Sequence, residues 1–319
     1  MTTTSSRLDW LIFLLLGFFW GSSYLFIKIG VDHGLQPFTL IMFRLLIGFI
    51  LLATVVAVAR QSLPRDPRMY GHLAVMGVIN IAIPFSLITF AEQSVDSSVA
   101  AVINGAVPLL VIVIAALFLR GESITVNRLA GLLVGFVGVA LIVGLDITNL
   151  ASSSAIGELA LLGSTLSYAI GAVYARAHIH GLRPMIPALF QVFFGLIVTA
   201  TLAFATEHPL SVDWVPESIF AVVWLGLLGS GLAYLAFFRT LQRWGATRTS
   251  LVAYLLPVYG IVLGVAVRSE PVSATTLIGT ALIIAGIALV NARVGTRVLF
   301  ERRRPTPPDR AAAIGSSRP

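Results

Sequence analysis

Stretches of about twenty mostly apolar residues recur along the chain, parted by short breaks that carry Pro, Gly, Asp or Arg. A bilayer core takes roughly 20 such residues per α-helix. Measured with that ruler, the chain predicts ten helices: 9–29, 36–58, 71–91, 97–119, 126–145, 157–178, 184–205, 217–238, 247–267 and 274–293. Breaks such as LPRDPR (63–68) and EHPLSVDWVPE (207–217) are clear, whereas only residues 92–96 part the third run from the fourth. The predicted fold class is an all-α integral membrane protein.

A longer repeat underlies the short one. The run AAVINGAVPLLVIVIAALFLRGE (100–122), with Pro108, is matched by TSLVAYLLPVYGIVLGVAVRSE (249–270), with Pro257. GLQP (34–37) is matched by GLRP (181–184), an offset of 147 that also pairs Phe43 with Phe190, Arg44 with Gln191 and Gly48 with Gly195. Near the ends of the copies, Gly131 and Gly138 pair with Gly279 and Gly286. Each copy therefore holds five helices, and an odd number requires the second copy to enter the membrane upside down. The predicted organisation is a short N-terminus (1–8), two inverted five-helix repeats (9–146 and 157–293), and a basic, disordered tail (294–319) whose Arg302–Arg304 touch anionic headgroups. Inverted repeats put the substrate site where the copies meet, commonly beside interrupted helices. Proline removes one N–H and clashes with the carbonyl four residues back. Pro108 and Pro257, with the neighbouring Gly105, are thus the candidate hinges, freeing the carbonyls of Asn104 and Ala253.

Composition agrees with the pattern: 57% of residues are hydrophobic, 11% are charged, and the mean hydropathy is +0.95. Soluble domains carry about a quarter charged residues. The net charge of +7 does not mark a nucleic-acid binder, because the basic residues are scattered between apolar runs. The absence of cysteine excludes disulfides, thiolate metal sites and cysteine nucleophiles. The first apolar run lacks a small-residue cleavage site after it and reads as a retained helix.

Arginine sets the expected orientation. One set of loops and ends holds Arg7, Arg60, Arg65, Arg68, Arg120, Arg128, Arg176, Arg183, Arg239, Arg243, Arg248, Arg293, Arg297, Arg302, Arg303, Arg304, Arg310 and Arg318; the other holds Arg268 and Lys28. The positive-inside rule then puts both termini in the cytoplasm and the protein in the cytoplasmic (inner) membrane.

Within the spans, Trp20, Ser23 and Tyr24 lie in the first helix, where Gly17 and Gly21 have the spacing for close helix contact. Mid-span aromatic rings either line a cavity or pack between helices. Asn80 and Phe85 lie in the third span, Asn104 in the fourth, Ser167 and Tyr168 in the sixth, Tyr234 in the eighth and Tyr254 in the ninth. Together they predict an aromatic, hydroxyl-rich, uncharged lining, suited to a neutral or zwitterionic metabolite with an apolar side chain. Asn104 either holds a substrate group or bonds a neighbouring helix. Arg44, well inside the second span, is costly there unless paired or wetted. It either grips a carboxylate or phosphate with its planar fork or snorkels toward the interface. Lys28 reads as interfacial.

The five-plus-five repeat, WGSS (20–23), and a mid-span proline followed by R-x-E in each copy (A-x-x-x-P in the second, N-x-x-x-P in the first) resemble the drug/metabolite transporter superfamily, in particular its EamA-type branch. Among its members the bacterial amino-acid exporters, aromatic ones included, are the most similar. The resemblance covers about residues 10–293. It implies a secondary carrier with a small-molecule substrate, the bilayer as its surroundings, no cofactor or metal, and no catalytic residues, as a monomer or a homodimer. Other branches carry sugar phosphates, nucleotide-sugars or drugs; phosphate cargo calls for several cavity cations, and Arg44 stands alone. A non-transporting membrane subunit would have no use for matched mid-span prolines. No ATP-binding loop or hydrolase motif occurs, which argues against a pump or an enzyme. Glu92, Asp96 and Glu158 fall near span ends, which predicts downhill transport, or coupling at most through a carboxylate at the outer side.

Overall fold

The computed structural model describes residues 7–119, 123–143, 152–183, 185–292 and 298–301. Among the described residues ten helices are long and apolar enough to cross a bilayer: α1 (Arg7–Asp32), α2 (Pro37–Val58), α3 (Pro67–Ala91), α4 (Ser97–Phe118), α5 (Val126–Val143), α6 (Ser153–His178), α7 (Met185–Thr206), α8 (Pro216–Gly245), α9 (Ser250–Arg268) and α10 (Ala274–Asn291). The predicted boundaries hold to within a few residues, except that α8 runs seven residues further. Starts follow local chemistry: Pro37, Pro67 and Pro216 occupy first turns, where no N–H is needed. Ser152 and Ser273 accept backbone N–H groups at the starts of α6 and α10. The matched GLQP and GLRP turns share a backbone reason, since Gly34 (φ 87°) and Gly181 (φ 72°) both adopt the left-handed conformation.

A short antiparallel ribbon adds to the helices: β1 (Ser123–Thr125) pairs with β2 (Val298–Glu301). The tail was expected to be disordered from residue 294, and for Val298–Glu301 that expectation is corrected. This mostly apolar piece finds a partner backbone beside the start of α5. Residues 1–6 and 302–319, with Arg302–Arg304, lie outside the described residues.

The packing is reciprocal. α1 lies against α8 and α9 as α6 lies against α3 and α4; α2 meets α8 as α7 meets α3. α2 with α7, α4 with α9, and α5 with α10 pair equivalent helices. At the last pair, a Cβ on Gly131 would stand 2.5 Å from the Gly286 carbonyl oxygen, and one on Gly279 would stand 2.7 Å from that of Gly138. Ascending one helix descends the other, so these equivalent helices run antiparallel and each contact is returned with the roles exchanged. Gly48 and Gly195, matched in sequence, do the same one layer over. A Cβ on Gly48 would meet Ser230 and the Gly226 carbonyl, and one on Gly195 would meet Ile81 and the Gly77 carbonyl. Without a hydrophobic drive between helices in lipid, such small residues set how closely backbones approach. Leu133, Val137, Ile278 and Val262 remain exposed on the outer faces, where acyl chains cover them.

Interruptions recur at matching heights. Val78–Ala82 of α3 and Leu225–Leu232 of α8 wind as π-helix. α4 parts at Ala106 into Ser97–Gly105 and Val107–Phe118, and α9 opens as a 3₁₀ stretch, Ser250–Tyr254, before Leu255–Arg268. Pro108 and Pro257 thus each sit in the first turn of a restarted helix, as their chemistry requires. At Gly105 the two breaks pack together, since a Cβ there would lie 2.7 Å from Pro257 Cγ. Its backbone closes the helical piece Ser97–Gly105, directly before the break at Ala106.

Candidate functional site

Arg44 occupies the centre of the bundle, only 4% exposed. Its Nε donates to Ser230 Oγ at 2.8 Å, and its guanidinium carbon stands 4.1 Å over the Phe85 ring. Among the described residues no carboxylate comes within ion-pair distance of it. The phenols of Tyr24, Tyr168 and Tyr234, and the Glu92 carboxyl, all lie within its electrostatic reach. Ser23, whose Oγ donates to the Phe19 carbonyl, stands beside the π stretch of α8. A Cβ on Gly229 would fall 2.7 Å from Ser23 Oγ and 3.5 Å from an Arg44 terminal nitrogen. Trp20 meets Tyr234 edge-on at 6.2 Å and Phe237 at 5.4 Å. Trp20, Ser23, Tyr24, Arg44, Phe85, Tyr168 and Tyr234, proposed from four different spans and from α2, therefore gather round one centre. A buried guanidinium over a ring, with no carboxylate at ion-pair distance among the described residues, has the fork geometry to pair with an anion.

The other copy offers a neutral counterpart of this hydrogen bond with donor and acceptor exchanged. Gln191, the counterpart of Arg44, accepts from Asn80 Nδ2 at 2.9 Å. In both cases an α2-type helix bonds a residue of a π stretch, Ser230 in α8 and Asn80 in α3. Ser167 Oγ donates to the carbonyl of Ile79, a group the π winding leaves open. Asn80 and Ser167 thus sit on the mirror side of the centre.

Two proposed residues go elsewhere. Asn104 is 3% exposed and satisfied within the scaffold: its Oδ1 accepts from Ser164 Oγ at 2.8 Å and its Nδ2 donates to the Ala100 carbonyl at 3.2 Å. Of its two readings, the helix–helix bond is the one observed. The Tyr254 hydroxyl accepts from Asn291 Nδ2 at 3.2 Å, and the ring packs with the residues between α4, α5 and α10. The 3₁₀ stretch that ends at Tyr254 turns its ring toward α10 and away from Arg44.

Sequence reasoning passed over Ser230 and gave Gln191 no role beyond matching Arg44. The available signal was Gly229-Ser230-Gly231, a polar residue between glycines inside a span. It also grouped Glu92 with Asp96 and Glu158 as outer span-end acids open to coupling and did not single it out. At the end of the bundle remote from Arg7, Glu207 accepts from Phe38 N (2.9 Å), Thr39 N (2.7 Å) and Thr39 Oγ1 (2.7 Å) at the start of α2. Glu270 does the same for Ser97 N (3.1 Å), Ser97 Oγ (2.7 Å) and Ser98 N (3.0 Å) at the start of α4. Carboxylates suit helix N-termini, where open N–H groups and the macrodipole favour negative charge. Arg268 bridges Asp32 to Glu270, and Lys28 pairs with Asp32 at 3.3 Å while donating to the Glu92 carbonyl at 2.7 Å. Lys28 is therefore a tie across this end as well as an interfacial residue. Two apolar clefts of about 380 and 390 Å³ open on the flanks, one between α1, α8 and α9, the other between α2 and α7; neither is lined by Arg44 or the three tyrosines.

The pattern of the EamA-like transporter family matches residues 9–144 and again 155–292. The chain belongs to that family. The double match to EamA agrees with two copies of five helices each. Related proteins include the uncharacterized transporter YoaV of Bacillus subtilis, 24% identical over 84% of this chain and 91% of its own length. The uncharacterized inner membrane transporter YedA of Escherichia coli K12 is 26% identical over 85% of this chain and 87% of its own length. A WAT1-related chloroplastic protein of Arabidopsis thaliana is 25% identical, with 89% and 69% covered. A crystal structure covering 89% of this chain superposes with a TM-score of 0.65 at 23% identity and shows the shared fold. This EamA protein is thus a multi-pass membrane transporter of small molecules.

Proposed function

We propose that the chain is a secondary carrier of the cytoplasmic membrane that exports amino acids, aromatic and other apolar ones among them, or related small metabolites, by alternating access. The observation that carries this reading is Arg44: a buried guanidinium with no carboxylate partner among the described residues, ringed by Trp20, Tyr24, Phe85, Tyr168 and Tyr234. The fork fits a carboxylate, and the rings fit an apolar side chain. A neutral opposite wall, Asn80 with Gln191, leaves hydrogen-bonding capacity without a second positive charge. That balance favours a monoanionic head group over a phosphate.

The antiparallel packing of equivalent helices supports inversion of the second copy, and the arginine distribution supports cytoplasmic termini. Two copies of one five-helix unit packed with equivalent helices antiparallel support alternating access, with transport downhill unless a span-end carboxylate intervenes. The test is counterflow of a labelled amino-acid panel in proteoliposomes. Aromatic and branched amino acids are expected to exchange and their decarboxylated amines are not; equal exchange of the amines would sink the carboxylate reading.

A further inference from the structure

Three buried acids lie at the remote end, and one is unlike the others. Glu207 and Glu270 each cap a helix start through three hydrogen bonds. Glu92 is fully buried, and neither of its carboxyl oxygens has a hydrogen-bond partner. It stands one residue past the α3 span as that helix's C-cap, where the macrodipole disfavours a negative charge. Lys28, the nearest cation, spends its ammonium on the Glu92 backbone carbonyl and on Asp32 rather than on the carboxyl. An ionised carboxylate placed so is uncompensated, whereas a carboxylic acid is tolerable.

We propose that Glu92 is a proton-binding residue that couples transport to proton movement, holding its proton while the remote end is closed and releasing it when that end opens. The groups facing it are Tyr24, Lys28 and Asp32 from α1, Arg44 from α2, and Glu270 from the end of α9. Asp96 and Arg268 join the same array, and on α6 Glu158 follows Gly157, which packs on the Ala91 carbonyl and Val95. Burial, then Glu270 and Asp32, push the Glu92 carboxyl well above its ordinary range, against the pull of Lys28 and Arg44. Opening parts Lys28 from the Glu92 carbonyl and admits water. The O–H bond then breaks, the proton passes to that water, and the carboxylate left behind pairs with the Lys28 ammonium. Reclosing requires a proton back. A cycle that reprotonates Glu92 from the other side carries one proton per turnover. The proton site stands on its own geometry, while the coupling step rests on the alternating-access reading.

Two measurements separate these. In purified wild-type protein at neutral pH, difference infrared spectra against Glu92→Gln are expected to contain a protonated carboxyl stretch; its absence overturns the proposal. Proteoliposomes given labelled phenylalanine and an imposed pH gradient of about one unit are expected to accumulate about tenfold in wild type for one-proton coupling. In Glu92→Gln the ratio with and without the gradient is expected to fall to one, whatever its exchange rate. A wild type indifferent to the gradient, or a variant still driven by it, also overturns the proposal. If wild type moves no phenylalanine at all, the amino-acid reading fails and the infrared band alone decides the proton site. A fold that binds this proton more tightly than the unfolded chain loses stability as pH rises above the ordinary value of 4.5. Glu92→Gln is therefore expected to melt higher than wild type at pH about 8 and equally at pH about 5; a destabilised variant at both would mark a purely structural role.

Discussion

The two copies share a frame and differ in what they hold. Both wind π stretches at equivalent heights, both restart a helix at a proline, and both present glycine where equivalent helices cross. Yet the copy that carries Arg44 holds a cation against a ring, and its twin holds Gln191 against Asn80. Close packing tolerates no asymmetry at a two-fold contact, because a methyl added on one side meets backbone on the other. The central polar pair carries no such restriction, so duplication left it free to diverge. Symmetry belongs to the motion and asymmetry to the cargo.

The sharpest way to break that contrast is to make the centres alike. Arg44→Gln is expected to lower amino-acid counterflow by thirtyfold or more, the effect of losing about 2–5 kcal/mol from a buried charge pair. Gln191→Ala is expected to cost only a few-fold. Equal losses would mean that the copies share the load. The frame is tested next. Gly138→Val and Gly279→Val are expected to destabilise the bundle alike, each by about 1–3 kcal/mol or more, because each Cβ meets the partner's backbone. Gly71→Ala, with nothing within 4 Å, is expected to change little. Thermal unfolding in detergent reads all three, and a marked difference between the paired valines would refute the reciprocal frame.

Smaller effects follow at the remote end and between helices. Glu207→Gln is expected to cost about 1–3 kcal/mol by weakening three hydrogen bonds to the start of α2. Ser164→Ala removes one scaffold bond to Asn104 and is expected to cost about 0.6–2 kcal/mol while leaving cargo preference intact. A changed preference would return Asn104 to the binding site.

Much of the frame was legible because its causes are local or periodic. Span length, the GLQP and GLRP turns, the paired glycines and the two prolines each leave a fixed mark in the chain. Arg44 was legible because a charge amid apolar residues is rare and costly. The partners of Asn104 and Tyr254 were not legible, because sequence gives a residue's height along a helix but not which neighbour it faces. A 3₁₀ stretch rotates Tyr254 toward α10, and Ser164 claims Asn104 from α6. The π windings shift the faces of α3 and α8 in the same way, which hid Ser230. Glu92 was visible as an acid near a span end. Its want of partners depends on Lys28 choosing a carbonyl, and no spacing rule encodes that choice.

The caps on α2 and α4 also set an order in time. Glu207 lies 168 residues after Thr39, and Glu270 lies 173 after Ser97. At about 5–20 residues per second of synthesis, each helix start waits roughly 10–30 s for its acid. The first copy therefore enters the membrane with two helix ends unfinished, and the second completes it on arrival. A nascent chain halted after α5 is an unsealed half, and the halves expressed as separate chains should find each other by the same acids.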